Sequence, residues 1–184
     1  MDKLIITLAM LGNVPTKELN RDTPVTPIEI ADTLEDTSKL GVSIAHLHAR
    51  DKYQQPTHSR KIYKEILGEI KKRNINVITQ ISTGARGGLN SVKSRCQMLD
   101  LDCEMASLAT GSSNFPNTVN SNSPELINEM AHLMNKYGIK PEIEAFDIAM
   151  ISHASFLLKR GILKGPLHFN LVMNVPGSIK GNPR

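Results

Sequence analysis

The chain has 184 residues, the size of one ordinary domain. Apolar residues make up 40% and charged residues 22%, a globular composition that excludes a disordered chain. A net charge of +4 without a basic block, 4% aromatic residues and no Trp give little material for a nucleic-acid surface. Cys96 and Cys103 fit neither a disulfide framework nor a zinc knuckle and read as reduced thiols. The longest apolar runs have strand length, so no membrane segment is expected, and the N-terminus has no signal-peptide pattern. Cytoplasm is the expected compartment.

Leu4 to Met10, β-branched at its centre and closed by Gly12-Asn13-Val14-Pro15, predicts a buried first strand. Thr26-Pro27-Ile28-Glu29 then sets an N-cap, a first-turn proline and an early acid, and the helix it opens runs to a stop at Gly41. Val42 to His48 is strand, Ser59 to Arg73 a helix with Ile62, Ile66 and Ile70 on one stripe, and Asn76 to Ser82 strand again. A helical stretch near Ser91 to Leu99 follows, then a strand from Glu104 to Leu108 and a helix from Ser123 to Tyr137. The last elements are a strand from Glu142 to Phe146, a helix from Ile148 to Arg160 and a strand from Leu167 to Met173, which makes six strands and five helices.

Such βα alternation specifies a parallel sheet covered by helices, either doubly wound or closed into a (β/α) barrel. An open sheet gathers its chemistry at one switch point, whereas here polar residues follow every strand. This favours the (β/α)8 TIM-barrel type, with about six of its eight units present and residues 1–184 forming a single incomplete barrel domain.

His46-Leu47-His48 ends the second strand. Period-two geometry puts both imidazoles on one face, about 6.5 to 7 Å apart along the strand, which suits two ligands of one metal ion. Zinc is the natural candidate, although imidazole also suits iron, nickel and copper. The alternative is two half-buried histidines bonded to their neighbours. Zinc needs a third protein ligand, for which Glu144, near the end of the fifth strand, is the candidate within the chain; a carboxylate there could equally serve as general base or support a ligand. Ser82-Thr83-Gly84-Ala85-Arg86-Gly87-Gly88 offers hydroxyls and exposed amides that suit a carboxylate, a phosphate or a polarised carbonyl, and Thr110-Gly111-Ser112-Ser113-Asn114 is its counterpart one strand later. Neither is a P-loop or a dinucleotide fingerprint. His132 and His153 read as helical residues without a catalytic role, and the methionines Met98, Met105, Met130, Met134 and Met150 as core filling.

Pro24 to Glu29, His46-Leu47-His48-Ala49-Arg50-Asp51, Gln80 to Gly84, Glu104 to Leu108, Pro141-Glu142-Ile143-Glu144 and Asn174-Val175-Pro176-Gly177, in this order, resemble the β-keto acid cleavage enzymes. The resemblance implies a zinc-dependent barrel that reacts a β-keto acid with acetyl-CoA, giving acetoacetate and the CoA ester of the shortened acid. It implies His46 and His48 as metal ligands, Ser82, Thr83, Gly84 and Ala85 as the substrate loop, and Ser107 as a further substrate contact. Glu144 becomes a catalytic residue supporting substrate or zinc rather than the third ligand, since the family's zinc-binding glutamate lies in the seventh-strand region, beyond residue 184. A homo-oligomer with small-molecule partners is expected. Members acting on cationic amino-keto acids carry an acid after the first strand; here Asn13-Val14 supplies none, so the expected keto acid has no cationic side chain. Two other readings stand beside this one. The first is a barrel that binds a phosphorylated substrate through the Thr110 to Asn114 loop and uses the histidines as acid and base. The second is a non-catalytic truncated remnant.

Overall fold

The structure is a computed structural model that describes residues 4–182. The domain assigned to residues 1–184 thus includes 1–3 and 183–184, which lie outside the described residues. In chain order the elements are β1 (Thr7–Leu8), α1 (Pro27–Ser38), β2 (Ile44–Leu47), a hairpin of β3 (Ala49–Arg50) and β4 (Pro56–Thr57), α2 (Arg60–Lys72) and β5 (Ile78–Ile81). A 3-10 turn (Ala85–Gly87), α3 (Val92–Cys96), β6 (Met105–Ala109), a second hairpin of β7 (Ser113–Phe115) and β8 (Thr118–Asn120), α4 (Pro124–Tyr137), β9 (Lys140–Ala145), α5 (Ile148–Lys159) and β10 (His168–Leu171) complete it. The predicted strands and helices are all present. The two hairpins were not predicted; both grow from loops that follow a main strand.

The main sheet has six strands in the order β1-β2-β5-β6-β9-β10, and every pairing is parallel. A doubly wound sheet reverses its strand order at a switch point. Here each strand lies beside its predecessor in the chain, which is the winding of a (β/α) barrel, and the sheet is an arc of one. Register fixes which residues share a face: His46 lies opposite Gln80, Ser107 opposite Glu142, and Glu142 opposite His168. The intervening residues Ala45, Leu47, Ile81, Ala106, Leu108 and Ile143 belong to one apolar core with Leu34 of α1, Ile66 of α2 and Met130 of α4. Each Leu, Ile or Met among them, when fully buried, is worth about 1.5–3 kcal/mol. The helices therefore pack on the apolar face, and the polar face is left to line the lumen.

The helices start where their caps dictate. Thr26 Oγ1 accepts the Glu29 amide at 3.2 Å, Glu29 Oε2 accepts the Thr26 amide at 3.0 Å, and Pro27 fills the first position, whose N–H would have had no partner. α4 has Ser123 as its cap and ends on Gly138 at φ 71°, in the left-handed region that glycine takes without strain. Met98, Met105, Met130, Met134 and Met150 are all buried, as expected, and both cysteines are free and buried.

The first strand departs from expectation. It was read as buried from Leu4 to Met10, but only Thr7–Leu8 pair, and Leu4 and Ile5 are 81% and 59% exposed. The apolar run is real, but β1 is an edge of the arc, so no strand covers its outer side. The other edge, β10, likewise exposes Phe169 and Leu171.

The α1 cap gives a testable pH dependence. Partial burial raises the Glu29 pKa, but hydrogen bonds from Lys17 and from the Val25 and Thr26 amides outweigh it and bring the carboxyl down to about 2. A depressed pKa stabilises the fold fully above the ordinary value of 4.5, and the contribution is lost as the pH falls through about 2. After allowance for solvent screening, Glu29→Gln is expected to cost about 1 kcal/mol at pH 7. Denaturant titrations should show the difference from wild type closing between pH 4.5 and about 2.

Candidate functional site

The lumen face of the arc carries the chemistry. His46 lies within β2 and His48 just past its end, and their Nε2 atoms converge to 3.2 Å. Two nitrogens held about 2.0–2.1 Å from one tetrahedral ion stand about 3.3–3.4 Å apart, so the pair has the separation of two ligands of one metal. The Gln80 carboxamide oxygen, directly across the ladder, takes the Nδ1 proton of His46. That bond leaves the Nε2 lone pair of His46 facing the site, the arrangement that outer hydrogen bonds impose on metal-binding histidines. Burial first, then repulsion from His46, Arg50 and Arg86, holds the His48 pKa well below the ordinary 6.5, which favours a neutral imidazole with a lone pair to donate.

Two carboxylates join them from β9. Single ligand atoms of His46, Glu142 and Glu144 lie within 4.8 Å of one another. The two acids differ. Glu142 is fully buried, accepts a bond from Asn170 Nδ2 at 3.3 Å and lies 3.2 Å from His168 Nε2. Glu144 is half-buried and has no hydrogen-bond donor among the described residues. Desolvation by burial raises its pKa, opposed by His46 and reinforced by Glu142. This donor set of imidazole and carboxylate fits a divalent ion such as zinc.

Two cavities meet at this cluster. One, of about 710 Å3, runs across the open side of the arc from Thr7 and Ala9 to His168 and Asn170. The other, of about 230 Å3, passes from His46, His48 and Glu144 along Ser82, Gly84 and Ala85 to Arg86.

Residues 3–184 match the beta-keto acid cleavage enzyme family. The chain belongs to that family. It is 39% identical over 178 residues to the 3-oxoadipate:acetyl-CoA acetyltransferase of Cupriavidus necator, covering 95% of this chain and 61% of the relative. It is 40% identical over 185 residues to the 3-keto-5-aminohexanoate cleavage enzyme of Acetoanaerobium sticklandii, covering all of this chain and 67% of the relative. The chain thus spans about two thirds of the length of these relatives. Among solved structures, a ternary complex of ObcA with a C4-CoA adduct and oxalate superposes with a TM-score of 0.74 at 25% identity, covering 83% of this chain and 38% of the other.

Within this β-keto acid cleavage fold the predicted substrate residues separate into two groups. Ser82, Gly84 and Ala85 line the smaller cavity. The Gly84 amide reaches Ser82 Oγ, and the Ala85 amide reaches Asn120 Oδ1, both at a long 3.4 Å. Thr83 and Ser107 are buried and bonded to each other: the Thr83 amide donates to Ser107 Oγ at 3.1 Å and Thr83 Oγ1 donates to the Ser107 carbonyl at 2.6 Å. They tie the loop after β5 to β6. Two of the three hydroxyls in the loop from Thr110 to Asn114 are spent inside the fold, Thr110 on the Met150 carbonyl and Ser112 on Asn122, while Ser113 Oγ is buried without a hydrogen-bond partner among the described residues. His153 bonds the Thr110 carbonyl and His132 is exposed, so neither reaches the site.

Three residues without a predicted role hold the site in place. Arg50 donates to the Gly12 and Pro15 carbonyls and so clamps the turn that bears Asn13. His58 bonds the Gly84 carbonyl at 2.8 Å and Ser94 Oγ, and a Cβ on Gly87 would come within 2.3 Å of its ring. Arg95 is 1% exposed, and its donors go to the Thr83 and Ser121 carbonyls, Asn90 Oδ1 and Asn122 Oδ1.

Arg95→Met strands two buried acceptors, the Thr83 carbonyl and Asn122 Oδ1, each worth about 1–3 kcal/mol when unpaired, so a loss of at least about 2 kcal/mol is expected in chemical denaturation. Burial also lowers the His58 pKa. Because folded His48 and His58 resist protonation more than the unfolded chain, which takes up protons through about pH 6.5, their contribution to stability is full above that value and declines below it. A denaturant midpoint at pH 5.5 as high as that at pH 7.5 would contradict this.

Proposed function

We propose that this chain carries the metal-binding and keto-acid-binding part of a zinc-dependent β-keto acid cleavage enzyme. The observation that carries the reading is the 3.2 Å convergence of the His46 and His48 Nε2 atoms beside Glu144, on the lumen face of a family barrel. The reaction exchanges acyl groups: the C2–C3 bond of the keto acid breaks, its two-carbon carboxylate end joins the acetyl group of acetyl-CoA as acetoacetate, and CoA leaves on the shortened acyl chain. Zinc, held by His46 and His48, supplies Lewis-acid polarisation of the keto-acid oxygens. Ser82 Oγ and the Gly84 and Ala85 amides, whose present contacts are long, orient the substrate carboxylate. Glu144, whose pKa burial pushes up, lies beside His46 and would be placed to exchange a proton with the reacting carbonyl.

Relatives bear names for both anionic and cationic keto acids. The turn after β1 offers Asn13 and no acid, which supports a substrate without a cationic side chain.

Elemental analysis of the 184-residue protein, purified without chelator, should find one zinc per chain and its loss in the His46→Ala, His48→Ala double variant. A folded protein without metal, or one that keeps it in the double variant, would overturn the reading. In a complete version of the protein, acetoacetate release from acetyl-CoA should be faster with keto acids lacking an amine than with 3-keto-5-aminohexanoate. The reverse preference would sink the substrate assignment.

A further inference from the structure

The outer end of the smaller cavity carries Arg86, an exposed cation whose guanidinium has no carboxylate partner among the described residues. From Ser82, which is buried, the chain climbs through Gly84 and Ala85 to Arg86 on the 3-10 turn, so the lining runs from the imidazoles outward to this guanidinium. Arg86 lies 4.8 Å over the Phe115 ring, and Phe115 packs edge-on against Phe146 at 5.5 Å. Among the described residues no carboxylate pairs with Arg86. A guanidinium held over an aromatic face has its orientation fixed while its fork of donors stays open, the arrangement suited to a carboxylate.

The surroundings reinforce the sign. Asn120 Oδ1 takes the Ala85 amide and so steadies the turn that bears Arg86, while Asn13, on the turn clamped by Arg50, lines the same cavity. Both contribute neutral amides. The cavity's one acid, Glu144, belongs to the inner end, beside His46.

We propose that Arg86 is the receptor for the second carboxylate of a dicarboxylic β-keto acid, which enters with its reacting end toward His46 and His48 and its far carboxylate against the guanidinium. This rests on the cleavage reading and narrows it to one substrate class. A phosphate of CoA could supply the same anionic chemistry, and the test separates the two sources.

Adipate and hexanoate have equal length and differ in the second carboxylate, so their affinities for the 184-residue protein, measured by calorimetry, isolate that group. Adipate should bind at least about tenfold more tightly at low salt, the preference should vanish in Arg86→Met, survive in part in Arg86→Lys, and shrink at 1 M NaCl. Equal affinities in the wild-type protein, binding of neither acid, or an undiminished preference in Arg86→Met would overturn the proposal. Adenosine 3′,5′-bisphosphate, titrated in parallel, should bind both proteins alike. A loss confined to this nucleotide would assign Arg86 to CoA and overturn the keto-acid role. Zinc content, measured on the same samples, keeps the two readings apart. A metal-free protein that still prefers adipate defeats only the cleavage reading, and a zinc-loaded one without the preference defeats only the Arg86 assignment.

Discussion

A parallel strand turns successive side chains to opposite sides, and in this chain the two sides carry different burdens. Ala45, Leu47, Ile81, Ala106, Leu108 and Ile143 point to the helices and supply the core, while His46, Gln80, Ser107, Glu142 and Glu144 point to the lumen. Because the strands are added in chain order, all the lumen-facing residues fall on one concave surface. A shift of one residue in the β2–β5 register would take Gln80 away from His46 and free its imidazole to turn. The fold thus acts on the chemistry through register.

Burying polar side chains for this purpose is costly unless each finds its partners. The loop after β5 meets that condition through side chains that approach it from three other elements. Arg95 of α3 holds the Thr83 carbonyl, His58 beyond β4 holds the Gly84 carbonyl, and Ser107 of β6 holds the Thr83 amide. The carbonyls on the outer side are satisfied by the fold, and the Gly84 and Ala85 amides keep only long contacts. On the proposed reading, a loop so fixed would present its amides to a carboxylate without reorganising.

Much of this was legible in the sequence because it follows short-range rules. Thr26-Pro27-Ile28-Glu29 announced a capped helix, and the spacing of His46 and His48 announced a shared face. The alternation in Glu142-Ile143-Glu144 puts both acids on the lumen side. Glu142 owes its setting to Asn170 and His168 on the next strand, a contact that no local pattern announces. Arg95 was invisible for the same reason: a lone arginine in a short polar helix looks solvated, and only the approach of Asn90, Ser121 and Asn122 makes it a buried hub. The burial expected of the first strand came from composition, which describes the residues of β1 and not the strands beside it.

The partners of the two acids assign them different work on the proposed reading. Glu142 is bonded to Asn170 and lies against His168, so withdrawing it toward a metal would break both contacts. Glu144 has no such tie, and its raised pKa reflects a carboxylate that burial disfavours unless a cation or a proton reaches it. A divalent ion at His46 and His48 would supply that cation and lower the cost of ionisation, while Glu142, held by its partners on the next strand, would keep the neighbouring wall in place.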